Sequence, residues 1–169
     1  MPFRSSVAGR SITGSAHHHA QHIDRGRTNL HCPVDPLSRS VSTDTADVTL
    51  VAPRFIEQRF RRDGHFATAA IERNRLARKK VSGGVPCAVM IVIPADLPVD
   101  PSSANVDHFR KDSAARSIIA MAIVTNTAEQ NAATKFYFRY YAQAFEVRVY
   151  DGEAEAREWL NEVLATKEK

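Results

Sequence analysis

Cysteine is scarce in this chain: Cys32 and Cys87 are the only two, they sit far apart in regions of different character, and a disulfide framework is therefore excluded. Both read as thiols. Long apolar runs are missing as well. Nothing approaches the roughly 18 residues of a membrane span, and the N-terminus lacks the apolar stretch of a secretory signal, so a cytoplasmic protein of bacterial type is expected. Catalytic signatures are equally thin. No Gly-x-Ser-x-Gly elbow occurs, and beyond residue 46 only His65 and His108 offer a base near neutral pH. Gly83-Gly84 is too short to cradle a phosphate and reads as a helix stop. Asp96, Asp100, Asp107 and Asp112 lack the spacing of a calcium loop. No enzyme class is supported, and neither a cofactor nor a metal is implied.

What is present divides in two. Residues 1–46 are built from Ser, Thr, Arg, His, Gly and Pro without sustained apolar periodicity, which predicts a disordered arm. His17, His18, His19 and His22, with His31 and Cys32 beyond them, have metal-binding side chains, but a floppy tract supplies no fixed geometry for an ion. Residues 47–169 carry the pattern of one α/β domain, and 169 residues at 43% hydrophobic suit a single core.

Within that domain, Val48, Leu50, Phe55, Ile56 and Phe60 form an extended start, and Asp63-Gly64 predicts a hairpin turn, with residues 66–70 continuing a strand or opening a helix that runs to Lys80. Residues 87–93 and 118–124 are continuous apolar runs rich in β-branched residues, as in central strands covered on both faces. Three prolines between residues 94 and 101 forbid regular structure until a short helix near residues 103–115. Thr125-Asn126-Thr127 caps the next helix, where Ala133, Phe136, Tyr137 and Tyr140 share a face expected to meet the sheet. Phe145, Val147 and Val149 alternate as in an edge strand. Asp151 is placed to cap a last helix whose stripe is Ala156, Trp159, Leu160, Val163 and Leu164. Four to five strands alternating with helices imply a two- or three-layer α/β sheet.

The strand 118–124, the aromatic helix 131–141 and the ending Phe145-Glu146-Val147-Arg148-Val149-Tyr150-Asp151-Gly152, followed by Ala156-x-x-Trp159-Leu160, resemble the STAS-like, anti-sigma-factor-antagonist-like domains of uncharacterised bacterial proteins. The resemblance implies a mixed sheet with helices and a regulatory module that docks a protein partner or a small ligand. It also implies a candidate phosphorylation switch on a serine after a central strand, a place taken here by Ser102 and Ser103 behind Asp100-Pro101.

The expected functional surface is the loop from Pro94 to Asp107 with the start of the following helix: Asp100, Ser102, Ser103, Asp107, His108, Asn126 and Thr127. The alternative is nucleic-acid binding through the basic residues Arg73, Arg75, Arg78, Lys79 and Lys80. Five Arg and three Asp give the first 46 residues a net +2, which leaves the domain only +2 of the total +4, so a solvated helix face is the simpler explanation. Self-association through Phe138 and Tyr141 is a further expectation.

Overall fold

The computed structural model describes residues 39–167. The arm's first 38 residues, including its histidine cluster and Cys32, lie outside the described residues.

Six strands form one sheet in chain order: β1 (Arg39–Ser42), β2 (Ala46–Ala52), β3 (Phe55–Phe60), β4 (Cys87–Val92), β5 (Ile118–Val124) and β6 (Glu146–Tyr150). The first three are antiparallel to one another, and β3 to β6 run parallel. Parallel neighbours need crossovers. These are supplied by α1 (Thr68–Ser82), by a 3-10 turn (Pro101–Asn105) with α2 (Arg110–Ala115), and by α3 (Ala128–Tyr140); α4 (Glu153–Lys167) closes the domain. The domain thus starts before residue 47. Arg39–Ser42 pairs with β2, whose inward Ala46, Val48 and Leu50 give that edge an apolar face.

The hairpin lies elsewhere than Asp63-Gly64. The chain turns at Pro53-Arg54, where Arg54 takes a φ of 59° and the flanking residues pair as Ala52 with Phe55. Gly64 serves a different need: a Cβ there would lie 3.1 Å from the Thr45 carbonyl oxygen and 3.2 Å from that of Arg61, so a side chain would push this turn a few tenths of an ångström away from the β1–β2 connection. Residues 66 and 67 add no sheet strand, and α1 begins at Thr68 and ends at Gly83, whose φ of 63° is the left-handed cap expected of a helix stop.

Residue alternation along β3, β4 and β5 builds two cores. Ile56, Val89, Ile91, Met121 and Ile123 face α1 and α3, while Phe55, Ala88, Met90, Ala120, Ala122 and Val124 face α4. The domain therefore has three layers. On the α4 side, Trp159 and Leu160 bury as the sequence stripe requires, Arg148 lies 4.7 Å over the Trp159 ring, and Arg157 pairs with the buried Glu57 of β3. Asp151 does not cap α4; its Oδ1 accepts from Asn131 Nδ2 of α3 at 2.8 Å.

Candidate functional site

The parallel registers set Gln58, Ile91 and Ile123 side by side, because Gln58 pairs with Ile91 and Ile91 with Ile123 across β3, β4 and β5. This row floors a cavity of about 180 Å³. Phe60, Phe66, Val99 and Phe109 wall it, Gln130, Ala133, Thr134, Tyr137 and Phe138 of α3 roof it, and Arg78 of α1 reaches it from the side. Of the four described helices only α3 has no buried residue. A helix resting over a hollow rather than on packed side chains has this signature.

The stripe that α3 turns inward is not the expected one. Phe136 and Tyr140 are 70% and 72% exposed, whereas Tyr137 and Phe138 are half-buried against the core. The inward set, Gln130, Ala133, Thr134, Tyr137 and Phe138, follows i, i+3, i+4, i+7 and i+8, and it wins because the Tyr137 hydroxyl finds partners in the loop below. That hydroxyl donates to the Val106 carbonyl at 2.9 Å and accepts from the His108 backbone N–H at 2.8 Å. Burial pushes the Tyr137 phenol up to about 12. Phe138 and Tyr141 therefore do not form the exposed aromatic surface expected for self-association; Phe136 and Tyr140 do.

Residues 94–108 form a strap over the cavity. Phe66 N–H donates to the Pro98 carbonyl at 2.7 Å and Asp100 N–H to the Phe66 carbonyl at 2.9 Å, pinning the strap to the start of α1. At the other end, Gln130 Nε2 donates to the Pro94 carbonyl at 2.8 Å and Asn126 Nδ2 to the Ile93 carbonyl at 2.6 Å. His108 lies edge-on to Phe66 and stacked on Tyr137, with ring centroids 6.2 and 6.0 Å apart. Its Nε2 lies 2.8 Å from the Ser103 carbonyl, which can only accept, so Nε2 carries the proton. Burial holds the imidazole below its usual pKa, against the smaller opposing pulls of that carbonyl and of Asp107.

The expected surface residues mostly shape this strap. Asp100 accepts from Ser102 N–H at 2.9 Å, and Asp107 accepts from Phe109 N–H and Gln143 Nε2, each at 3.1 Å. Thr127 caps α3 by accepting from Gln130 N–H at 3.1 Å. Ser103 and His108 line the cavity. Ser103 is not a surface serine: it is buried and its hydroxyl donates to the Asp100 carbonyl at 2.6 Å, which leaves Ser102 as the exposed one of the pair.

The basic residues of α1 do not make one groove. Arg73 pairs with Asp44 at 2.9 Å, Arg75 with Glu72 at 2.9 Å, and Lys79 and Lys80 remain exposed near the helix end. Arg78 belongs to the core. Its Nη1 donates to Gln58 Oε1 at 2.6 Å and its Nη2 to Asp112 Oδ2 at 2.9 Å, and it sits 5.7 Å over the Phe109 ring. Burial disfavours its charge, and the Asp112 carboxylate offsets only part of that effect. Arg78 also lines a second, more polar cavity of about 140 Å³, together with Arg75, Lys79, Ser82, Asp112 and Ser117. One sequence signal marked Arg78: it falls on the inward stripe Ala70, Ile71, Asn74, Ala77, Arg78, Val81, where a charge demands a buried partner.

No protein-family model matches the chain, and no curated protein matches it. Among solved structures it is similar to an uncharacterised protein of the DUF3478 family with a SpoIIAA-like fold from Shewanella loihica, at 15% identity and a TM-score of 0.46, over 73% of this chain and 91% of that one. Among the described residues no helix is long and apolar enough to cross a membrane, and no cluster of three or more His, Cys, Asp or Glu is placed to hold a metal ion.

Proposed function

We propose that this domain is a non-catalytic, regulatory module that binds a small apolar molecule between the sheet and α3. The observation that carries the reading is the apolar cavity roofed by a helix with no buried residue of its own. An occupant would supply the packing that α3 lacks and fix its position over the strap, and a protein partner sensing α3 would read that state. Chemistry at the site is disfavoured by its polar groups: the Ser103 hydroxyl and the His108 ring are both committed to backbone carbonyls, and no nucleophile and base face each other. A switch by phosphorylation would act at Ser102, where the added charge would meet the Asp100 carboxylate that now holds the Ser102 N–H, and so would open this turn.

The test is a thermal-unfolding series with single-ring apolar compounds. At ten times its Kd a compound that binds only the folded state stabilises by about 1.4 kcal/mol, a rise of roughly 3–5 °C for a domain of this size. Thr134→Leu, which fills the cavity from its roof, is expected to stabilise the fold by about 1 kcal/mol in the absence of compound and to abolish the response. A flat series together with a destabilised Thr134→Leu would reject the reading.

A further inference from the structure

Arg78 is the one charged side chain in the cavity wall, and it is only 4% exposed. Two of its three nitrogens are served by Gln58 and Asp112, while Nε is one of two buried side-chain polar atoms without a hydrogen-bond partner among the described residues. A buried donor left unserved is costly, and a guanidinium N–H is among the strongest donors a protein can offer. The Arg78–Asp112 pair is also already balanced in charge, and Asp112 is further held by the Ser117 hydroxyl at 2.8 Å. A second carboxylate brought to Arg78 would be an uncompensated buried charge. A neutral oxygen would not. Size narrows the class further: an apolar protein cavity of about 150 Å³ takes benzene, so about 180 Å³ suits one ring with a short substituent.

We infer that the cavity selects a single-ring or comparably short apolar molecule bearing one neutral carbonyl or hydroxyl oxygen, which accepts the Arg78 Nε–H. This rests on the ligand-binding reading above and specifies its ligand. The experiment titrates the full-length chain by calorimetry with three matched probes: ethylbenzene, acetophenone and benzoate. Acetophenone is expected to bind about tenfold more tightly than ethylbenzene, the share of a hydrogen bond to a charged donor, and benzoate more weakly than acetophenone. In Arg78→Met/Asp112→Leu, which replaces the pair by apolar side chains of similar reach, acetophenone is expected to lose its advantage over ethylbenzene, whatever the absolute affinity of either. Should that variant not fold, a crystal structure of the wild-type complex decides, with the acetophenone oxygen expected within about 3.2 Å of Nε. Equal binding of ethylbenzene and acetophenone, or a preference for benzoate, overturns the anchor and leaves the ligand-binding reading standing. If none of the three binds, both fall.

Discussion

Against one face of the sheet, α4 lays Ala156, Trp159, Leu160 and Leu164 onto Ala88, Met90, Ala120 and Ala122. Against the other, α3 spans the row Gln58, Ile91 and Ile123 without burying a residue of its own. The difference lies in side-chain size. Three alanines on the α4 face of β4 and β5 admit a helix carrying a tryptophan, and Arg157 and Glu153 then tie it to Glu57 and Arg59 of β3. On the α3 face the strands present Val, Ile and Met, and the inward Tyr137 and Phe138 meet a strap and one another before they meet the sheet. One sheet thus carries a filled core under α4 and a cavity under α3, and the ligand-binding proposal places function at the cavity, where packing is still to be completed.

Breaking the packed face is expected to have the largest effect. Trp159→Ala should cost on the order of 3–5 kcal/mol in urea unfolding, since it removes a buried aromatic from a layer that cannot collapse around the gap. A loss well below 1 kcal/mol would mean that the two faces are packed alike. On the hollow face, Tyr137→Phe keeps the ring but removes the hydroxyl shared by Val106 and His108, and about 1–2 kcal/mol should be lost. Hydrogen exchange should accelerate across residues 99–108 more than across α4; uniform acceleration would show that the strap is not an independent unit.

Acidity gives the smallest and most selective perturbation. His108 has a folded pKa below its ordinary 6.5, so the unfolded chain takes up the proton first. Its contribution is therefore intact above about 6.5 and is lost as pH falls from there through the folded value. The carboxylates held low by ion pairs, such as Glu72 at about 2 through Arg75 and Lys111, act below their ordinary 4.5 and leave that window clear. Tm is expected to fall between pH 7 and pH 5.5, and His108→Gln should flatten the slope there. An unchanged slope would place the acid sensitivity outside the strap.

Much of this architecture was legible from local signals. The apolar runs of β4 and β5 needed no partner to be read as buried strands, because a continuous β-branched run has no face to show water. Thr127 was readable as a cap and the α4 stripe as an inward face, since both depend on residues within a turn or two. Asp63-Gly64 misled because a turn dipeptide reports a bend and not what the bend connects, and β1 was missed because Arg39–Ser42 has little apolar character until β2 lies beside it.

Period, caps and breakers are local, so the sequence by itself determined the order of the elements from α1 onward, with its two central strands. Tertiary structure decided which of two aromatic stripes α3 turns inward, through a hydroxyl bond from Tyr137 to a carbonyl 31 residues away. It also decided that Arg78 is a core residue rather than part of a basic face, through Asp112, 34 residues on. A polar side chain takes its role from the partner that reaches it, and such partners meet only when the sheet has formed.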